Sequence, residues 1–130
     1  MTEPEIRAAF DEFSAAWNAH DLARMAACWS AQGSAVDPWG RFASGREGVA
    51  ALLGREHEET MRESTYRVDS IQMRELSDAT VVVEADAVID GALAPNGKRY
   101  ALAHRINAVL VQEEGGWRFL SLHPTFHARG

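Results

Sequence analysis

The sequence predicts an α+β domain in which helices come first along the chain and an antiparallel sheet follows. Apolar residues recur every three or four positions through about the first 62 residues, which is helical spacing, whereas from Tyr66 onward they alternate with a period of two. When helices and strands are segregated in this way, the helices pack on one face of the sheet. At 130 residues the chain is long enough for one compact core, and we expect residues 1–130 to form a single domain.

Three helices are predicted in the first half of the chain. The first covers residues 3–18, where four large apolar side chains lie on one helical face: Ile6, Phe10, Phe13 and Trp17. Asp21 is a favourable N-cap for a short second helix, whose apolar face extends to Trp29 and which Gln32 and Gly33 end. Ser44 and Glu47 have the spacing of a capping box, and they predict a third helix that runs to about residue 62.

A small hairpin and four longer strands are predicted after these helices or between them. The hairpin covers residues 35–42, where a proline and a glycine separate apolar positions. The four strands are separated by short turn sequences, which favours an antiparallel meander. They cover residues 65–76, 79–90, 98–112 and 117–126.

The alternation of side chains indicates which face of the sheet is buried. In the strand at 79–90, five apolar residues share one face: Val81, Val83, Ala85, Ala87 and Ile89. In the last strand, Trp117 and Phe119 lie on one face while Leu120 and Leu122 lie on the other. A single copy of the chain would leave these two leucines in water, so we expect a homodimer that packs through the outer face of the sheet.

Charge and composition argue against several functions. Thirteen basic and nineteen acidic residues give a net charge of -6, which repels a phosphate backbone, so no nucleic-acid partner is expected. The only cysteine, Cys28, excludes an internal disulfide and cysteine-rich zinc sites. No apolar run approaches the roughly 20 residues of a membrane span. Because the segment Met1–Glu5 is acidic where a secretory leader is basic, we expect a cytoplasmic protein with no membrane contact.

Four segments of the sequence carry a resemblance to a known superfamily. They are FSAAWNAHD at residues 13–21, DPWGR at 37–41, GREG at 45–48, and GWRF at 116–119 followed by His123. Together they resemble the nuclear transport factor 2-like superfamily, and within it the SnoaL-like, polyketide-cyclase-like branch, which includes small proteins of unknown function and proteins linked to polyketide and enediyne biosynthesis. The resemblance covers nearly the whole chain.

This resemblance implies both a shape and a place for a functional site. It implies a cystatin-like α+β roll, in which a strongly curved, mostly antiparallel (mixed) sheet forms a cone around the three N-terminal helices. An apolar cavity opens at the wide end of the cone. Members of the superfamily use this cavity as isomerases, cyclases, dehydratases or epoxide hydrolases, and others are binding or assembly modules without chemistry. The fold therefore implies the location of the site but not the reaction.

Two histidines are predicted from their spacing to face this cavity. His57 lies four residues after Leu53 and four before Met61, in the middle of the buried stripe of the third helix. His104 shares a strand face with Ile106 and other bulky residues, which is the face expected inside. An imidazole that faces a ligand can act as a general acid or base. The alternative for both residues is a buried histidine that is hydrogen-bonded within the protein.

Three further polar residues are candidates through position and resemblance. His123 has the strand parity of Trp117 and Phe119 and matches a histidine that the SnoaL-like branch often carries here; Thr125 continues the same face. Asp37 resembles in position an acidic or polar residue that several relatives bring to the cavity from this hairpin. Burial among aromatic side chains would favour proton abstraction by that carboxylate. The alternative is that an Asp before proline bonds to its own turn.

Aromatic and sulfur-containing side chains are candidates for the walls of a ligand site, because small-molecule sites are lined mainly by apolar groups. The candidates are Trp17, Trp29, Trp39, Phe42, Met61 and Tyr66. Their alternative role is ordinary core packing. No metal is expected, because the histidines and acids lack the close spacing of a ligand set, and the chain has neither a glycine-rich phosphate loop nor a nucleophile elbow. No cofactor is therefore expected.

These features predict a protein that binds a small apolar molecule in an internal cavity. The first hypothesis is a cofactor-independent isomerase-, cyclase- or hydrolase-type enzyme, in which Asp37, His57, His104 or His123 moves a proton on an apolar carbonyl or polyketide-like ligand. The alternative is a dimer that binds a ligand or assembles with a partner and has no catalytic activity.

Overall fold

A computed structural model of the chain describes residues 2–37 and 39–126. Three helices, α1 to α3, and six strands, β1 to β6, follow one another along it. In chain order they are α1 (Thr2–Asn18), α2 (Leu22–Ala26), β1 (Trp29–Val36), β2 (Phe42–Ser44), α3 (Arg46–Glu59), β3 (Thr65–Ser77), β4 (Thr80–Leu93), β5 (Arg99–Glu113) and β6 (Gly116–Phe126). The predicted α+β class, with helices first and a meander of long strands after them, is confirmed.

The six strands form one mixed sheet with the order β2-β1-β6-β5-β4-β3. The four predicted long strands β3 to β6 pair antiparallel with their neighbours in sequence, as the turn residues between them predicted. Strand β1 pairs antiparallel with β2 and parallel with β6, which joins the first half of the chain to the sheet. Helices α1 and α3 contact β3 and β1 respectively and cover the inner face.

The core lies between the helices and this inner face. The predicted stripe of α1 is buried there, and Phe10 makes an edge-to-face contact with Phe119 of β6 at 5.2 Å between ring centroids. On β4, Val81 and Val83 are fully buried, as the alternation predicted. Burial of these large side chains from distant segments is the main force that holds the helices on the sheet.

The second helix is shorter than predicted, and Trp29 belongs to a strand. Helix α2 ends at Ala26, and Trp29 begins β1, so the predicted continuation of the helix through Trp29 to Gly33 is wrong. The segment is held as a strand by β6: the Phe119 amide donates to the Cys28 carbonyl. Gly33 lies inside β1, where an added Cβ would sit 2.7 Å from the Phe119 carbonyl oxygen. Glycine therefore permits close strand packing here and does not end a helix.

The third helix begins without the predicted capping box. Its N-cap is Gly45, at φ +80°, and no side chain caps it. Ser44 is instead paired with Ser34 in the β1–β2 ladder, and the Gly45 amide donates to the carbonyl of Gly33. The helix ends at Glu59, three residues before the predicted end.

A β-bulge in β6 changes which of its side chains face the core. Val109 pairs with Ser121 but Leu110 pairs with Phe119, so Leu120 is an extra residue in β6. Before the bulge Phe119 is buried, and after it Leu122 is buried. The prediction that Leu122 faces outward is therefore wrong. The simple alternation of faces, which was used to place the residues after Leu122, does not hold across the bulge.

Candidate functional site

A narrow cavity lies between the helices and the inner face of the sheet. Aromatic side chains form much of its wall: Phe13, Trp17, Trp29 and Tyr66. Half-buried Val36 and Pro124 lie at its rim. Its volume is about 40 Å³, which holds one or two water molecules. A larger ligand can enter only if rim side chains move.

Glu56 is the most unusual polar group in this cavity. It projects from α3, lines the cavity and is only 5% exposed. Burial raises the pKa of its carboxyl from the ordinary 4.5 to about 8, and nearby Asp37 adds to this rise, while Arg41 opposes it. No hydrogen bond joins this carboxyl to another of the described residues. At neutral pH Glu56 is therefore a largely protonated acid that can donate a proton or accept a hydrogen bond from a guest.

The sequence analysis missed Glu56, although the sequence contained a signal for it. Glu56 lies four residues after Leu52, three after Leu53 and seven after Val49, all of which are buried. It therefore shares their helical face. A carboxyl group in the apolar stripe of a helix is the pattern that identifies it.

Tyr66 of β3 and His104 of β5 form a hydrogen-bonded pair on the sheet. The Tyr66 hydroxyl oxygen lies 3.0 Å from Nε2 of His104, and Nδ1 of His104 lies 3.1 Å from the Leu102 carbonyl oxygen. Because a carbonyl only accepts, Nδ1 donates to it; in a neutral imidazole Nε2 then accepts from the tyrosine hydroxyl. Burial raises the pKa of Tyr66, so its hydroxyl keeps its proton. Both residues line the cavity that Glu56 lines.

Two of the three predicted wall tryptophans, Trp17 and Trp29, line the cavity, whereas Met61 does not. The indole of Trp17 donates to the Ser64 hydroxyl at 2.9 Å, and that of Trp29 donates to the Ser34 carbonyl at 3.0 Å. These bonds fix the planes of the two rings. Met61 is fully buried in the core and does not line the cavity.

His57 is buried beside the cavity and does not line it. Its Nδ1 donates to the Leu53 carbonyl at 3.0 Å, and its ring packs against Trp17 with 4.6 Å between centroids. Burial lowers the pKa of His57 below the ordinary value for histidine. Within residues 2–37 and 39–126, nothing bonds to its buried Nε2. This is the structural role that the sequence left open as an alternative.

Asp37 organises the turn between β1 and β2. It is 3% exposed, and one carboxylate oxygen accepts from the backbone amides of Trp39 and Arg41 at 2.9 and 2.8 Å. The other oxygen accepts from the Arg41 guanidinium. Arg41 also pairs with Glu59 at 2.8 Å. The hydrogen-bonding capacity of Asp37 is thus used within its own turn, which is the alternative role that the sequence left open.

Four other predicted site residues lie outside the cavity. Trp39 and Phe42 are 50% and 66% exposed on the β1–β2 hairpin. His123 and Thr125 are exposed, because the bulge at Leu120 reverses the faces of β6. The prediction that these two share the face of Trp117 and Phe119 is therefore wrong. Pro124 lines the cavity in their place.

The described residues contain neither a cluster of metal-ligating side chains nor a membrane-spanning helix. Among residues 2–37 and 39–126, no three histidine, cysteine, aspartate or glutamate residues are grouped closely enough to hold a metal ion. No helix there is long and apolar enough to cross a membrane.

Comparison with known proteins relates the whole arrangement to one domain family. Residues 6–128 match the family model of the SnoaL-like domain. No curated protein sequence is significantly similar to the chain.

Many solved structures share the fold at low sequence identity. An uncharacterized protein with a cystatin-like fold from Caulobacter vibrioides is 21% identical, with a TM-score of 0.84 over 96% of this chain and 89% of that one. A hexachlorocyclohexane dehydrochlorinase, LinA type 2, is 16% identical, with a TM-score of 0.85 over 98% and 86%. The protein Aln2 from a Streptomyces species is 17% identical, with a TM-score of 0.78 over 94% and 88%. At these identities the likeness shows the fold alone.

Proposed function

The chain belongs to the SnoaL-like domain family, and we propose that it binds a small apolar carbonyl compound in its cavity and moves a proton on it without a cofactor. One observation carries the proposal. A buried carboxyl group with no partner among the described residues, that of Glu56, faces the same apolar cavity as the Tyr66–His104 pair. Groups with shifted pKa values in an apolar cavity are typical of acid–base sites.

The geometry supports proton abstraction next to a carbonyl group. The protonated Glu56 donates a hydrogen bond to the carbonyl oxygen of the ligand. His104 Nε2 takes a proton from the neighbouring carbon once the Tyr66 hydroxyl turns from the imidazole towards the ligand. The C–H bond breaks, its electron pair forms a carbon–carbon double bond, and the charge that develops on oxygen is stabilised by the Glu56 proton. Return of the proton to the same or another carbon completes an exchange or an isomerisation.

The size of the cavity limits which part of a ligand can react. Only a small polar head fits the interior of about 40 Å³ without rearrangement. The rest of the molecule has to lie at the rim, beside half-buried Val36 and Pro124. The aromatic walls formed by Trp17 and Trp29 favour a flat apolar group next to this polar head.

Hydrogen–deuterium exchange at carbon tests this chemistry without knowledge of the natural substrate. The protein is incubated in D₂O with cyclopentanone, cyclohexanone and 1-indanone, and loss of the α-proton signals is followed by proton NMR. We expect exchange of at least one ketone faster than in buffer, and Glu56→Gln to slow it by at least about ten-fold. Glu58→Gln, an exposed position on the same helix, is the matched control.

Either of two results would reject the catalytic proposal. Exchange at the buffer rate with all three ketones, or equal rates in the Glu56 and Glu58 variants, would reject proton transfer by this site. If the ketones then still shift the signals of cavity residues, the protein is a binder without chemistry. One observation favours this second function: Tyr66 and His104 already satisfy each other, so neither group requires a substrate.

We also propose that the protein acts as a homodimer through the outer face of the sheet. Four valines on this face, in β4 and β5, are only half-buried in the single chain: Val82, Val88, Val109 and Val111. Val82, Val109 and Val111 form an apolar strip at one end of this face, whereas Val88 lies beyond the Glu84–Asn107 and Asp86–Arg105 pairs. A second copy of the chain would remove this strip from water.

A further inference from the structure

A second concavity lies outside the cavity, between the β1–β2 turn, the end of α3 and the β4–β5 connection. We name it the turn groove. It has a volume of about 300 Å³ and opens to solvent, and this volume is at the lower end of the range for small-molecule sites. Seven residues line it: Trp39, Arg41, Glu59, Thr60, Leu93, Pro95 and Tyr100. None of them lines the inner cavity.

The groove carries an excess of negative charge. The Arg41 guanidinium lies between two carboxylates, that of buried Asp37 and that of Glu59. Two carboxylates and one guanidinium give this cluster a formal charge of -1. The Glu59 side chain is 51% exposed, so its carboxylate remains accessible to a ligand while it pairs with Arg41. The chain as a whole has a net charge of -6, which also attracts cations.

The walls of the groove suit an organic cation that carries a ring. Trp39 is 50% exposed, and its ring already holds one cation: the Arg41 guanidinium lies 5.6 Å from the ring centroid. Indole is the side chain that attracts cations most strongly, and half-buried Tyr100 supplies a second aromatic surface. The Thr60 hydroxyl beside the groove is buried and has no hydrogen-bond partner among the described residues.

We propose that the turn groove is a binding site for a small organic cation that carries a ring, such as an arylalkyl ammonium compound. The ring packs against Trp39 and Tyr100, and the ammonium group lies beside Glu59. An anionic ligand would be repelled by Glu59 and would compete with it for Arg41, whereas a cation breaks no existing pair. The proposal does not depend on proton transfer in the inner cavity, because the two sites share no lining residue.

Three soluble ligands of similar shape and different charge test this site. 2-Phenylethylammonium, 2-phenylethanol and phenylacetate are titrated against the full chain by ligand-detected NMR at neutral pH. We expect the cation to bind at least about three-fold more tightly than the alcohol, from the attraction of its ammonium group to the Glu59 carboxylate, and phenylacetate to bind most weakly. Trp39→Ala and Tyr100→Ala should each weaken binding of the cation by a similar factor. Glu59→Gln should reduce the preference for the cation over phenylacetate.

Two control variants separate this site from general surface binding. Phe42→Ala removes another exposed aromatic ring of the same hairpin that does not line the groove, and Glu58→Gln removes a neighbouring exposed charge. Neither should change the affinity for the cation. Binding of phenylacetate equal to or tighter than that of the ammonium compound would overturn the proposal. So would an unchanged affinity for the cation in both the Trp39 and the Tyr100 variants.

Discussion

At the scale of single residues, burial gives Glu56 its chemical character. The carboxyl lies on α3 among Leu52, Leu53 and the aromatic wall, where water cannot solvate a negative charge. The same burial has a cost in stability, because the unfolded chain ionises this group freely. A group kept for its chemistry at the expense of stability is typical of functional sites.

The pH dependence of stability should reveal this cost. Below about pH 4.5 Glu56 is protonated in both states; between about 4.5 and 8 the unfolded chain loses the proton while the folded chain keeps it. The free energy of unfolding therefore falls as pH rises through this window. Above pH 8 the total loss is at most about 5 kcal/mol. Glu56→Gln removes the penalty, so its advantage over wild type in urea unfolding should be larger at pH 8.5 than at pH 4.5.

The matched comparison for this measurement is Glu58→Gln. Glu58 is exposed on the same helix, so its replacement should shift the unfolding free energy by a similar small amount at both pH values. A difference between Glu56→Gln and wild type that stays constant from pH 4.5 to 8.5 would contradict the raised pKa of Glu56.

At the scale of elements, the bulge in β6 decides which side chains reach the cavity. Leu122 is buried after the bulge, while the next residue, His123, is exposed. Leu122→Ala should therefore lower the unfolding free energy by about 2 to 5 kcal/mol, as for other buried leucines. His123→Ala should change it by less than about 1 kcal/mol, as at other surface positions. Chemical denaturation of both variants checks this, and the reverse order would place His123 inside.

The close packing of β1 against β6 leads to a second prediction at the scale of elements. In Gly33→Ala the new Cβ would meet the Phe119 carbonyl at 2.7 Å, so we expect a loss of about 1 to 3 kcal/mol in unfolding free energy. In Gly54→Ala, inside α3, the nearest atom is a Leu22 methyl at 3.8 Å, and the higher helix propensity of alanine should add up to about 1 kcal/mol. Thermal unfolding should show shifts of opposite sign. A gain of stability in Gly33→Ala would mean that β1 and β6 lie further apart than the 2.7 Å contact implies.

At the scale of the whole molecule, the outer face of the sheet is the proposed dimer interface. We expect sedimentation equilibrium to show a dimer at micromolar concentration, because the valine strip on this face remains partly exposed to solvent in a single chain. Val109→Lys places a charge in the middle of the strip and should give a monomer. Ala51→Lys adds the same charge at an exposed position of α3 and should leave the dimer intact. A wild-type chain that sediments as a monomer would reject the proposed interface.

Patterns among neighbouring residues predict some features of this structure correctly and others wrongly. The long strands, the stripe of α1 and the inward face of His104 follow from periodicity, since each depends only on neighbours two to four residues away. The end of α2 and the start of α3 were predicted wrongly. There, contacts with β6 and with Gly33 compete with the local helical preference and override it.

The sequence by itself determined the fold class, the order of the elements and two groups of the candidate site, Tyr66 and His104. Helical spacing places Glu56 on the buried face of α3, but only the tertiary structure decided that it lies in the same cavity as this pair. The tertiary structure also decided that Asp37 is used by its own turn and that His123 points outward. The physical reason is that burial and hydrogen-bond partners are set by residues distant in sequence. A single extra residue in β6 reverses the faces of the strand after it, and strand periodicity alone cannot locate that residue.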